Sequence, residues 1–411
     1  MGRPALAALS LLAKIGIVLG MMLGVSHSTA RAQTDGAPDS ERYTLRAEVG
    51  LEYDTNAHRT EIIAKANNPP LIASPLERLV LAGTLSDLVA DGQLVTLAAT
   101  AAGKIYDAPA ATDEDVAIAQ SSIAWAMALG PRATLTLAGA YYEAFQSTTQ
   151  NLIDASERRD FRSLGSSVQL GWLATEHFDL SINAGYRSFL FKPDRDDDFA
   201  APTAAAELRW TRQTSDADWE VSTGAAFEHR TFGGPALTVD CPQEMQPAVA
   251  GGTSPVVFAC AGPETRRDDF LMSHLDLLRV GRVLLGAGYA FHDNRSNSYG
   301  ETVIRHIATA RFAAPLPGGL TLAARGEVLL AFYRQPMVIG QQVAAGNTFS
   351  SVESIDDENR SSVRVDLSHD LAKGLRLLLR YTFYANEIAN AAPVSYQRQT
   401  LLLSVTSALE K

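Results

Sequence analysis

Residues 319–334 read G-L-T-L-A-A-R-G-E-V-L-L-A-F-Y-R, and polar and apolar side chains alternate along them. The apolar residues share the even positions: Leu320, Leu322, Ala324, Val328, Leu330 and Phe332. Arg325 and Glu327 stand at odd positions. Because successive side chains of a strand point to opposite faces, this stretch predicts a strand with one apolar and one charged face. Strands of soluble domains have about five or six residues, whereas a tilted strand that crosses a bilayer needs about 9–11.

The same alternation recurs along most of the chain. The segments are 43–54, 76–87, 94–106, 115–129, 132–145, 161–173, 178–191, 203–212, 219–230, 270–279, 283–292, 302–313, 319–334, 358–370, 374–386 and 397–409. They predict about sixteen strands, within a range of roughly 14–18.

The connections between these segments alternate in length. A short turn follows every even-numbered segment, as at Asp91-Gly92, which is a strong hairpin signal. Long connections follow several odd-numbered segments, at 56–75, 147–158, 233–266 and 335–357. Outer-membrane barrels have short periplasmic turns and longer extracellular loops. The sequence therefore predicts an all-β fold, a transmembrane antiparallel up-and-down β-barrel over residues 43–409.

Two further features agree with a barrel. No apolar run of 18 residues follows residue 33, so no transmembrane helix is predicted, and closed barrels are the other structure that can span lipid. Aromatic residues gather near segment ends, among them Tyr53, Trp125, Trp172 and Tyr381. Aromatic girdles at the two membrane interfaces would explain them, and ordinary strand aromatics are the alternative.

The N-terminus predicts export. Two positive residues, Arg3 and Lys14, come before an apolar stretch at 15–25. Ala30-Arg31-Ala32 then gives the small-x-small pattern that precedes a cleavage site. Residues 1–32 are therefore predicted to be a signal peptide. An uncleaved membrane anchor is the alternative. Residues 33–42 would form a short periplasmic segment.

The two cysteines, Cys241 and Cys260, lie in the predicted extracellular loop 233–266. Two cysteines in an exported protein predict one disulfide, with two free thiols as the alternative. The loop would either fold into the pore or serve as a surface epitope.

The net charge of the chain limits the classes of partner and function that it can have. The net charge of −11 argues against a nucleic-acid partner, and no metal site or cofactor is predicted.

The candidate pore-lining residues lie at the alternate positions of their segments that carry the polar side chains: Arg305, Arg311, Arg325, Glu327, Arg364, Asp366, Arg376, Arg380 and Arg398. Charged rings in an aqueous lumen select solutes by sign. The alternative is that these side chains pair across strands and only line a solvated wall.

An enzyme is the rival class, because lipid hydrolysis needs a serine beside a histidine. Ser273-His274 and Ser368-His369 are adjacent in sequence and would point to opposite faces of a strand. His292 and Ser296 share a parity. We expect no enzyme.

Tyr53-Asp54-Thr55-Asn56, at the end of the first segment, resembles the start of the barrel in exporter-like outer-membrane proteins, including surface-lipoprotein assembly modifiers. The strand pattern from residue 43 onward resembles Gram-negative outer-membrane barrels as a class. Such barrels usually end in an aromatic residue that the insertion machinery reads, and this chain ends Leu409-Glu410-Lys411.

The resemblance implies the cell outer membrane, with its lipid, lipopolysaccharide and barrel-insertion machinery as partners, and leaves a homo-oligomer open. The predicted function is passive diffusion of small polar solutes, with anions favoured. The alternative is a non-conducting barrel of a secretion or polysaccharide-export assembly, and a lipid hydrolase is the third hypothesis.

Overall fold

The computed structural model describes residues 41–58, 62–63, 70–111, 114–146, 160–192, 195–241, 259–335, 361–385, 388–389, 394–395 and 397–410. The predicted signal peptide, residues 1–32, lies outside this part of the chain, as do residues 33–40 of the predicted periplasmic segment. The structure places Glu41 and Arg42 at the start of the first strand.

Long strands make up almost all of the described chain. They are β1 Glu41–Asp54, β2 Ser74–Ala90, β3 Gln93–Tyr106, β4 Val116–Ala128, β5 Ala133–Gln146, β6 Asp160–Leu173, β7 Phe178–Lys192, β8 Phe199–Gln213, β9 Ala217–Thr238, β10 Cys260–Gly281, β11 Leu284–Ser296, β12 Val303–Pro315, β13 Leu320–Tyr333, β14 Ser361–Ala372, β15 Leu375–Ala385 and β16 Gln397–Glu410. Two 3-10 helices (Arg195–Asp197 and Pro317–Gly319) and the two-residue strands Ile62–Ile63, Ile388–Ala389 and Val394–Ser395 lie in the connections.

The sheet closes on itself. Each of the sixteen strands pairs antiparallel with its neighbours in the sequence, and β1 pairs with both β2 and β16. The closing register runs from Thr44 opposite Glu410 to Asp54 opposite Thr400. The structure therefore confirms the predicted all-antiparallel barrel, and closure leaves no unpaired sheet edge.

The short turns lie where the sequence predicted them. Gly92, between β2 and β3, has φ 70°, and Gly374, between β14 and β15, has φ 75°. A positive φ is costly for residues with a Cβ, so glycine allows these tight reversals.

Two strands are about ten residues longer than predicted. β9 and β10 have 22 residues each and extend past their neighbours, so the connection between them is 239–259 rather than the predicted 233–266. The prediction was wrong because Gly233, Gly234 and Pro235 break the alternation, and the β9–β10 register shifts between Thr231 and Leu237. Irregular pairing of this kind leaves no period-two signal in a sequence.

The outer face of the barrel is apolar. Large aliphatic side chains are exposed around the ring, for example Leu51 on β1 (67%), Ile182 on β7 (55%) and Leu275 on β10 (53%). Such a belt on a closed barrel is typical of a structure surrounded by lipid. The protein is therefore a transmembrane β-barrel.

No helix among the described residues is long and apolar enough to cross a membrane.

The chain's four tryptophans, Trp125, Trp172, Trp210 and Trp219, lie on this outer face near the short turns. They form the aromatic girdle expected at the periplasmic interface.

A prediction concerns the contact between β1 and β16. A Cβ on Gly50 would lie 2.7 Å from Leu402 Cδ1 and 2.9 Å from the Leu403 carbonyl oxygen, whereas Gly326 has no atom within 4 Å of its Cβ position. We expect Gly50→Ala to lower the free energy of unfolding by about 1–3 kcal/mol and Gly326→Ala to change it by less than about 0.5 kcal/mol. Urea titration in detergent would measure the free energy of unfolding of both variants. Equal losses would contradict the close contact of Gly50 with Leu402 and Leu403.

Candidate functional site

The alternation of exposure separates a lipid face from a lumen face. Along β16, Leu401, Leu403 and Val405 are exposed, while Leu402 and Ser404 between them are buried. Because the exposed aliphatic side chains contact lipid, residues of the other parity point into the barrel. The registers between neighbouring strands extend this assignment around the ring.

All nine predicted pore-lining residues lie on the lumen face. Register pairs connect them: Arg311 with Arg325, Arg325 with Arg364, Asp366 with Arg380, and Arg380 with Leu402. They do not form one uniform ring. Arg305, Arg380 and Arg398 are buried, whereas Arg311, Arg325, Glu327, Arg364, Asp366 and Arg376 are exposed or half-buried.

Three of these arginines form an arginine row across β12, β13 and β14. Arg311, Arg325 and Arg364 are direct cross-strand partners. Arg325 pairs with Glu327 at 3.2 Å and Arg364 with Asp366 at 3.0 Å. Arg311 has no ion-pair partner in the described part of the chain. Like charges directly opposite each other destabilise a sheet, so the row concentrates positive charge at a cost to stability.

Three of the remaining predicted arginines, Arg376, Arg380 and Arg398, are held by carboxylates. Asp366 accepts hydrogen bonds from both Arg364 and Arg380, the latter at 2.9 Å from Nε. Arg376 donates to Asp370 at 2.6 Å near the periplasmic end of β14 and β15. The paired-wall interpretation therefore describes these three residues. At the row, Arg325 and Arg364 are also paired, but Arg311, Arg325, Arg364 and the neighbouring Arg380 stand beside two carboxylates, Glu327 and Asp366, so positive charge is in excess there.

Next to the row lies a buried charge network at the closure, formed by lumen-facing residues of β1, β2, β3 and β16. Arg78 lies 3.0 Å from Glu48, and Lys104 lies 3.2 Å from Glu52. Each of these four side chains is nearly inaccessible to solvent.

The Asp54 carboxylate completes this closure network. It accepts hydrogen bonds from Arg398 Nε at 3.0 Å and from the Tyr106 hydroxyl at 3.0 Å. The sequence predicted only Arg398 of these three as a lumen residue. For Asp54 on β1 and Tyr106 on β3, the alternation of each strand was the signal in the sequence that places the side chain on the lumen face.

A second cluster lies at the extracellular mouth, where β10 meets the connection after β11. Arg266 pairs with Asp268 at 2.8 Å and with Glu301 at 2.9 Å, and Asn294 donates to the Glu301 carbonyl oxygen. Burial raises the pKa of Glu301, although Arg266 beside it acts in the opposite direction. These contacts fix the rim of the barrel on this side.

The wall formed by β4, β5 and β6 is different, because its described lumen-facing positions carry no Asp, Glu, Lys, Arg or His. We call it the uncharged wall. Its larger members are Val116, Ile118, Gln120, Tyr142, Phe161 and Gln169, and alanine, serine, threonine and glycine fill most other positions. The sequence analysis considered only the charged residues of the lumen and missed this wall.

Aromatic rings continue from this wall at its extracellular end. Tyr142, Phe161, Phe189, Phe199 and Phe232 stand on five consecutive strands, with neighbouring centroids 5.2–5.3 Å apart. Except for Tyr142 these rings are buried. They form an aromatic column on the lumen face that no single strand could reveal, because each strand supplies only one ring.

The serine and histidine candidates are not brought together. Ser273 and His274, like Ser368 and His369, point to opposite faces of their strands. His292 and Ser296 lie four residues apart on β11, about 13 Å along a strand. Ser296 instead exchanges hydrogen bonds with Thr302.

Cys241 and Cys260 form a disulfide with Cα atoms 5.8 Å apart, at the upper ends of β9 and β10. The bond joins the ends of the two extended strands, on the extracellular side.

No protein-family model matches the chain, and no curated protein matches it. Solved structures similar to it include OccK11 (OpdR) of Pseudomonas aeruginosa, 10% identical with a TM-score of 0.43 over 90% of this chain and 96% of that one. The outer-membrane protein OpdK of the same organism is 10% identical, with a TM-score of 0.43 over 90% and 99% of the two chains. A loop-deletion mutant of OmpT from Vibrio cholerae is 10% identical, with a TM-score of 0.37 over 90% of this chain and 100% of that one. Likeness at this level carries no argument about solute or mechanism.

The buried pair at the closure gives a second prediction. Asp54→Ala would leave Arg398 buried without its carboxylate, and we expect a loss of about 3–5 kcal/mol in the free energy of unfolding. Asp370→Ala removes an exposed partner of Arg376 and should cost less than about 1 kcal/mol. Urea titration of the two variants compares them, and similar small losses would show that the Asp54 pair is not buried.

Proposed function

We propose that the protein is a passive outer-membrane pore for small polar solutes and that it favours anions. The observation that supports this proposal is the arginine row of Arg311, Arg325 and Arg364 on the lumen face. The row is accessible: the Arg325 side chain is 48% exposed and that of Arg364 is 32% exposed. Charge at such a position raises the local concentration of anions in the pore.

We expect the preference for anions to be modest and to arise at one part of the lumen wall. Over the whole lumen, most lumen-facing arginines have a carboxylate within ion-pair distance, as in the closure network. Among the strands that the structure describes, only β12 to β14 carry arginines in direct register with one another. The proposal therefore assigns selectivity to this row and not to the lumen as a whole.

One observation favours a second candidate, a non-conducting barrel in a secretion or polysaccharide-export assembly. The lumen-facing side chains near the extracellular ends of the strands are mostly buried, including Glu52, Asp54, Arg230, Asp268 and Arg398. Buried side chains in a lumen leave less aqueous space for a solute. In either case the membrane lipid and the insertion machinery remain proposed partners.

Conductance in a planar bilayer tests the pore proposal. We expect the purified protein to form channels and to show a reversal potential on the anion-selective side in a salt gradient. One unit charge about 8 Å away in water is worth about 0.5 kcal/mol, and salt screening roughly halves this. Because the charge attracts anions and repels cations, Arg311→Gln should lower the anion-to-cation permeability ratio about twofold. The triple variant Arg311→Gln/Arg325→Gln/Arg364→Gln should lower it further.

Arg212→Gln is the matched control, because Arg212 lies on the outer face of β8 beside Trp219. It should leave selectivity unchanged. Absence of channel events in the wild-type protein would support the non-conducting candidate. Channels whose selectivity is unaffected by the triple variant would remove the arginine row as the selective element.

A further inference from the structure

A groove runs along β11 on the lumen face, in the half of the barrel nearer the short turns. The lumen-facing residues of β11 there are Gly286, Gly288 and Ala290, so the strand presents little more than its backbone. The neighbouring strands β10 and β12 carry larger side chains on the same face. Two strand spacings separate those neighbours, so the groove is roughly 10 Å wide between backbones.

Carboxylates line one side of this groove. Asp276 on β10 is the cross-strand partner of Gly288, and Glu220 on β9 lies opposite Leu278, two residues further along β10. A Cβ on Gly288 would overlap the Asp276 carboxylate and would lie 2.6 Å from the Thr309 hydroxyl oxygen. The Asp276 side chain therefore leans from β10 over β11 towards β12.

The arginine row begins on the other side of the groove. Arg311 on β12 is the partner of Gly286, two residues along β11 from Gly288. Strand dimensions place a carboxylate that lies over Gly288 about 8 Å from the Arg311 Cα atom. Asp276 and Arg311 form no ion pair among the described residues, and both are accessible from the lumen. The groove thus holds opposite charges apart, on the same sector of the wall.

This arrangement matches a solute that carries both charges. Its ammonium group would lie near Asp276 and Glu220 and its carboxylate near Arg311, so each end meets the opposite charge. A neutral solute of the same size gains neither attraction. An ion with a single charge is attracted on one side of the groove and repelled on the other.

We propose that the groove along β11 binds zwitterions whose ammonium and carboxylate groups are separated by a short chain, as in ω-amino acids and short peptides. This inference rests on the proposed pore function and names a class of solute for it. It is compatible with the anion preference, because that preference compares ions of opposite net charge.

A zwitterion and a neutral molecule of equal size form a matched pair of probes. 5-Aminopentanoate and 5-hydroxypentanamide have the same number of heavy atoms and the same carbon chain, and neither has a net charge at neutral pH. Isosmotic swelling of liposomes that contain the purified protein measures the permeability of each. Two attractions of unit charges about 8 Å apart, weakened by salt, predict that the zwitterion enters about two to three times faster.

The double variant Glu220→Gln/Asp276→Asn removes the negative side of the groove and should bring this ratio close to one. An unchanged swelling rate with 5-hydroxypentanamide would show that the variant is folded and open. Glu77→Gln/Asp87→Asn is the matched control, because it makes the same two changes on the lipid face of β2. It should keep the wild-type ratio.

The outcomes separate the two proposals. No swelling with either solute would remove the pore function itself. Swelling at equal rates with both solutes would overturn the zwitterion site and leave the pore intact. A preference that persists in Glu220→Gln/Asp276→Asn would also overturn the inference, because the groove would then not be its source.

Discussion

The pairing of the first strand with the last is the constraint on which the rest of this structure depends. Lipid offers no hydrogen-bond partner to an open edge, so β1 and β16 must satisfy each other along their length. Side chains reinforce the backbone ladder on the lumen side, where Arg398 of β16 and Asp54 of β1 form a buried pair. A slip of one residue would turn the lipid face of β16 toward the lumen. The closing register therefore fixes which side chains line the pore on both flanks of the seam.

Once the ring is closed, strand order determines the character of each part of the lumen. The strands from β12 through β16 bring arginines together, and β1 to β3 add the carboxylates and cations of the closure network. Strands β4 to β6 bring small and apolar side chains, followed by the aromatic column. The lumen is thus asymmetric around its wall, and the proposed anion preference derives from the side that carries the arginine row.

The sequence predicted what depends on local alternation and missed what depends on pairing between distant segments. Strand number, short turns and the face on which Arg325 and Glu327 lie follow from period-two patterns within single strands. The Arg398–Asp54 pair joins residues 344 apart in sequence, and no local pattern reports it. The aromatic column and the arginine row likewise depend on register. The upper ends of β9 and β10 were missed because their glycine and proline residues interrupt the alternation that marks a strand.

Disulfide cross-linking across the seam tests the closing register most directly. Val49 and Val405 are cross-strand partners on the lipid face, so cysteines at both positions, in a chain with Cys241→Ser and Cys260→Ser, should form a disulfide in outer membranes after mild oxidation. Leu401, four residues further along β16, lies beyond disulfide reach of Val49 and serves as the control position. The account predicts a cross-link for Val49→Cys with Val405→Cys and none with Leu401→Cys. Efficient cross-linking of Val49→Cys to Thr406→Cys instead would place the other face of β16 in the lumen and contradict the account.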